Sequence, residues 1–206
     1  IDSGWGPSGS EVSISSIDNL IATFGKPSDR NYQDWFSASN FLNYSSNLYA
    51  IRVIDEETAT NAGVAPTSDP QLGEPLFETK GVLFKDSTHF EMGRGTSSHY
   101  FAARYAGALG NSLEVSIADA ATFATWKYKN EFDTAPDNSN GSEVSVANAL
   151  DEIHVVVVDR LGYFTRVAGT VLEKFSYLSK AKDAKDMTGS NSYYVNVLNR
   201  SSQYVY

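Results

Sequence analysis

The segment Val171–Tyr206, VLEKFSYLSKAKDAKDMTGSNSYYVNVLNRSSQYVY, carries the densest pattern in the chain. Val171, Leu172, Phe175, Tyr177 and Leu178 form an apolar run that reads as a strand with a bend. A charged hinge follows from Lys180 to Asp186, and Thr188-Gly189-Ser190 is a turn. Tyr193, Tyr194, Val197 and Leu198 fall at i, i+1, i+4 and i+5, one apolar face of a short helix. Asn191 or Ser192 is placed to cap that helix, and Asn199 suits its end. Gln203–Tyr206 then leaves as a strand.

Working outward, two other segments show the same density. Tyr105–Ile117, YAGALGNSLEVSI, is an aromatic-Gly turn running into a strand in which Leu113, Val115 and Ile117 alternate with Glu114 and Ser116. Gly4–Ile54 opens with Trp5-Gly6-Pro7. It continues with Ile17, Leu20, Ile21 and Phe24 at i, i+3, i+4 and i+7. That helix is capped near Ser15 and stopped by Gly25 and Pro27. A second helix is expected over about Asn31–Asn43, with Tyr32, Trp35, Phe36, Ser39 and Leu42 on its face and Phe41 at its edge. Tyr49, Ile51 and Val53 alternate as a strand, with Arg52 opposite. One strong strand for two helices leaves a sheet to be completed elsewhere.

These three segments, in this order, resemble the tail sheath proteins of contractile-tailed bacteriophages. The features that carry the resemblance are the Trp5-Gly6-Pro7 opening with its Arg52 strand, the Gly110-Asn111-x-Leu113-x-Val115 segment, and the run from Leu172-Glu173-x-Phe175 to Tyr204-Val205. Together they cover roughly half of the chain. The resemblance implies a subunit that polymerises as a helical tube around a tail tube, joined to a baseplate. Contraction of that tube drives genome ejection. The implied location is the virion tail, with the host cytoplasm as the place of assembly. Bacteriocin and secretion-system sheaths share the family; a phage tail is the assignment taken. In the family, an N-terminal arm adds a strand to a neighbour and a C-terminal region forms the inner core. With Ile1 rather than Met at its start, the chain is expected to be a monomeric fragment lacking both.

The fold class expected is α+β, with mixed or antiparallel sheets and a few short helices. A β-rich outer domain (55–200) is inserted into a partial α/β platform (1–54, rejoined by 201–206). Gln203–Tyr206 is expected to pair near Tyr49–Val53. Between the anchors, Asp55–Pro75 reads as a linker punctuated by Pro66 and Pro70. Leu76–Thr79, Val82–Phe84 and His89–Met92 are strand-like, as is Phe123–Tyr128 with Trp126 and Tyr128 on one face. Asp133–Ser142 is an exposed loop. Ile153–Val158 is a β-branched run suited to a central strand buried on both faces. Asp159–Gly162 is a turn, with Tyr163–Val167 returning as a hairpin.

Composition excludes several functions. The chain of 206 residues has no cysteine, which removes thiol catalysis, thiolate metal sites and disulfides. Its net charge of −9, without a basic cluster, argues against a nucleic-acid partner. No apolar run reaches the ~20 residues of a membrane span. With 41% hydrophobic and 13% aromatic residues it can bury a substantial core. Gly4-Trp5-Gly6-Pro7-Ser8-Gly9 matches a dinucleotide-binding pattern in letters only. No strand precedes it, and Pro7 has no amide proton to offer a phosphate. Trp5 is expected to pack on the domain instead.

His89 and His99 sit in polar loops, Gly93-Arg94-Gly95 lacks the lysine and helix of a phosphate loop, and His154 reads as a sheet or core residue. Asp151 and Glu152 are neighbours that point to opposite faces, which is unsuitable for a carboxylate dyad. No catalytic, cofactor-binding or metal-binding residue is expected, and no enzyme activity. Lys180, Lys182, Asp183, Lys185 and Asp186 are read either as a solvated hinge or as intersubunit contacts. A carbohydrate- or receptor-binding β module is the second reading; its cue is exposed Trp126 and Tyr128 lining a groove.

Overall fold

The computed structural model describes residues 1–64, 82–93, 101–139 and 150–206. Within them the fold is α+β, built from short helices and small antiparallel sheets. The elements run β1 (Glu11–Ile14), α1 (Ile17–Phe24), α2 (Tyr32–Leu42), β2 (Leu48–Ile51), β3 (Gly63–Val64), α3 (Ser87–Gly93) and β4 (Phe101–Ala102). They continue with β5 (Leu113–Asp119), β6 (Glu152–Asp159), β7 (Thr170–Ser179) and α4 (Tyr194–Ser201). Short 3-10 turns lie at Ala108–Ser112, Phe123–Thr125 and Lys129–Glu131.

The main sheet has the order β5-β6-β7, antiparallel throughout. Its middle strand is the β-branched run. Ile153, Val155 and Val157 face one core with Val115, Leu178, Leu198 and Val205. Val156 and Val158 face a second core with Ala118, Trp126 and Tyr128. Burial on both faces is what a run without polar alternation requires. Each fully buried valine contributes on the order of 1.5–3 kcal/mol. His154 interrupts the run at no cost in unmet polarity. Its Nε2 lies 2.9 Å from the Thr134 carbonyl, and its Nδ1 accepts the Tyr177 amide at 3.1 Å. Phe132 stacks on the ring at 4.2 Å. Tyr177 has a positive φ of 56°, and the register shifts beside it, so the bend expected in β7 is a bulge.

The return strand is Thr170–Ser179, later than the expected Tyr163–Val167. The cause is the buried carboxylate of Asp159. It accepts from Ser112 Oγ, from the amides of Phe164 and Thr165, and from Thr165 Oγ1, which winds residues 160–169 into a loop. Phe123–Tyr128 is likewise no strand. Trp126 reaches back to donate its indole N–H to Ser116 Oγ at 2.9 Å, and 3-10 turns deliver the aromatic rings to the sheet. His89–Met92 lies in α3, where Phe90 is buried against Phe84 and Tyr206. Val82 contributes only an isolated bridge to Asn61. Leu76–Thr79, His99, Arg94, Gly95 and the prolines at 66, 70 and 75 lie outside the described residues.

Residues 11–51 carry a second, two-stranded sheet with its own apolar cluster. Strand β1 pairs with β2, Glu11 opposite Ile51 through Ile14 opposite Leu48. Helices α1 and α2 cover one face through Ile14, Leu20, Phe24, Trp35 and Ala50. Ser16, one residue later than expected, caps α1 by accepting the Asn19 amide. Gly25, at φ 80°, ends it with its N–H on Ile21 O. The sheet is therefore completed by β1, and the alternation of β2 is inverted. Ala50 and Arg52 are buried, whereas Tyr49, Ile51 and Val53 are 59%, 50% and 77% exposed. Gln203–Tyr206 does not pair with this strand. Val205 bridges Ala103, and Tyr206 exchanges backbone hydrogen bonds with Ala102. Residues 204–206 lie instead along β4 and the residues just after it, where Arg104 N–H also donates to Tyr204 O at 2.8 Å.

Candidate functional site

The structure brings the three motif-bearing segments to one junction. Trp5 is 3% exposed. Tyr105 and Phe164 meet it edge-on, each at 5.1 Å, and Tyr204 stacks at 6.2 Å. Arg52, from the strand after α2, lies beneath. Its Nε donates to Ser3 O at 2.7 Å, Nη1 to Gly6 O at 2.8 Å, and Nη2 to Ala106 O at 2.7 Å. Burial lowers the guanidinium from its usual value, and Asp2 partly offsets this. A cation whose charge is spread over five N–H donors tolerates burial against backbone carbonyls better than an ammonium would.

Gly107 closes the joint. Its φ is 134°, and a Cβ there would come within 2.4 Å of Gly4 O and 3.0 Å of Arg52 Nη2. Ser3 adds a further tie, with its Oγ on Phe24 O at 2.5 Å. The Trp5 glycine-rich opening is thus a packed corner and no phosphate cradle. The open cleft beside it is bordered by Asp2, Lys26, Arg52 and Tyr163. Arg52 has committed all three nitrogens to carbonyls and has no free fork for an anion there.

No group of three or more His, Asp or Glu is placed to hold a metal among the described residues, and none of their helices is long and apolar enough to cross a membrane. Asp151 is held by Ser139 and Ser179 and anchors the loop before β6. Trp126 and Tyr128 are 6% and 7% exposed, so the aromatic cue for a carbohydrate groove is buried in the second core.

The charged stretch 180–186 is a tight turn. Ala181 and Ala184 are buried beneath it. Asp186 accepts from the amides of Thr188 and Ser190 at 2.8 and 2.9 Å and from Thr188 Oγ1 at 2.6 Å. These bonds hold its carboxyl below the usual range. Lys180 lies in the field of Asp119 and Asp151 of its own chain. Asp183 is also engaged within the fold. Lys182 and Lys185 are exposed and form no ion pair among the described residues. Of the five residues expected at a contact, these two are left uncommitted. Sequence reasoning passed over Arg52, because an arginine opposite an apolar alternation reads as solvent-facing. Its place in the same opening segment as Trp5-Gly6-Pro7 was the available signal.

No family model matches the chain. Among curated proteins, the tail sheath protein of Salmonella phage ViI is 30% identical over 152 residues, 74% of this chain. The chain is related to phage tail sheath proteins. The tail sheath protein of Vibrio phage KVP40 is 38% identical over 58 residues, covering 28% of the chain and 9% of that protein. That of Enterobacteria phage T4 is 32% identical over 72 residues, covering 34% and 11%. The match to the ViI protein covers 20% of its length, so this sheath-related chain corresponds to about a fifth of that relative.

Proposed function

We propose that the chain is a structural part of a contractile phage tail sheath, located in the virion tail and assembled in the host cytoplasm. Copies polymerise around a tail tube from a baseplate, and contraction of the tube drives genome ejection. Catalysis has no place in this role. The observation that carries the reading is the 152-residue similarity to a tail sheath protein. The junction supports it: the segments shared with the family are the ones that lock together through Trp5 and Arg52, as a brick that must transmit force requires. Residues 1–54 act as a platform, which 201–206 meets through Tyr204 on Trp5 and not through strand pairing, and 55–200 as the outer part. Lys182 and Lys185 are the residues of the 180–186 turn free to contact another subunit.

Electron microscopy of the sheath polypeptide containing this segment, mixed with its tail tube, tests the reading. Tubes or polysheaths are expected, and dispersed particles under all salt conditions would overturn it.

A further inference from the structure

Among the described residues, two surfaces without a partner have opposite chemistries. The first is the turn after β7. Met187 at its tip is 101% exposed. The turn beneath it is fixed by the Asp186 carboxylate and by Gly189 N–H on Asp186 O at 3.0 Å. Asn191 Nδ2 ties its base to Lys182 O at 2.9 Å. The thioether therefore stands on a rigid support flanked by uncommitted Lys182 and Lys185, so ordering the backbone on contact costs little.

The second surface is the open face of β2. Tyr49, Ile51 and Val53 line it, and Glu11 lies opposite Ile51 in the register. The strand then runs directly into exposed Asp55, Glu56 and Glu57. Glu56 takes Lys85 at 2.7 Å, and Asp55 caps the turn through the Glu57 amide. An apolar strip with one aromatic ring, Tyr49, and an acidic margin remains. Thioethers pack favourably on aromatic rings, and an edge strand so exposed invites cover.

We infer that the Met187 turn of one copy docks on the Tyr49–Val53 face of a second copy, with Lys182 and Lys185 against Glu11 and Glu57. This deepens the sheath reading and rests on it. The occupant is a second copy because the two surfaces match in charge and apolarity, and the chain's net charge of −9 needs a local basic feature for copies to approach. The contact joins two different patches. It is therefore heterologous, and such contacts propagate as open helices unless rotation closes them into rings. The area is small, so isolated copies remain monomers and the contact shows only when trapped.

The chain has no cysteine, which makes the test clean. Met187→Cys and Ile51→Cys proteins, each substituted at an exposed position, are mixed under oxidised glutathione. The mixed disulfide is expected in excess of its statistical share over the two homodimers. That excess is expected to disappear with Lys182→Glu/Lys185→Glu and to fall severalfold at ~1 M salt, where charges beyond about 3 Å are screened. Val53→Cys in place of Ile51→Cys guards against a local folding defect. Statistical proportions, or preferred homodimers, would overturn the docking. If the longer polypeptide still forms tubes, the failure belongs to these surfaces and not to the sheath reading.

Discussion

The strands β6 and β2 differ in how many of their faces the fold covers. Strand β6 is sandwiched, with alternate side chains entering two separate cores, and even its histidine is saturated. Strand β2 has helices on one side only. The covered side takes Leu48, small Ala50 and, just past the strand, charged Arg52, while Tyr49, Ile51 and Val53 face outward. An apolar alternation marks a strand but does not say which side is interior. Arg52 is held on the interior side by three carbonyl acceptors, which would be left without a donor inside the junction if the strand turned the other way.

The largest effect that would break this contrast is expected at the junction, where the two layers meet. Trp5→Ala removes the ring shared by Tyr105, Phe164 and Tyr204 and should destabilise by about 4 kcal/mol in urea unfolding. Arg52→Met keeps the apolar stem but leaves three carbonyls without donors, and a loss of about 3 kcal/mol is expected. If Arg52→Met were neutral, the inversion of β2 would have no energetic basis.

A pH titration separates the layers next. Burial holds the His154 imidazole below its ordinary value, although the Thr134 carbonyl and Glu152 act the other way. The unfolded chain therefore binds a proton first as pH falls. Stability should be full above about pH 6.5 and decline below it towards the folded value. His154→Gln should flatten that decline as read by tryptophan fluorescence. Asp159 follows at lower pH. Burial raises its carboxyl, but the bonds from Ser112, Thr165 and Phe164 together hold it below the usual range. Its contribution is present above about pH 4 and lost as pH falls through the folded value. The smallest effect is expected on the open face, where Tyr49→Ser and Ile51→Thr should change stability by within about 0.5 kcal/mol. A substantially larger loss in the isolated chain would mean that this face is covered within the subunit.

Much of the fold was legible in particular residues. Ile153–Val158 declared a strand buried on both sides, and Ile17–Phe24 with Gly25 declared a stopped helix. Tyr193–Leu198 declared the last helix. The shared segments at Trp5, Tyr105 and Tyr204 pointed to the sheath relatives. Periodicity and composition suffice for such features because each depends on residues close together in the chain.

What the tertiary structure alone decided depends on partners far apart. Asp159 turned an expected hairpin into a ten-residue loop by gathering Ser112 and Thr165. Ser116 drew Trp126 inward and erased an expected strand. Residues 102–104 took the C-terminal residues 204–206, and Arg52 chose the interior side of its segment through Ser3, Gly6 and Ala106. A buried polar group must find its partner wherever the chain can supply one, and no local pattern records that distance.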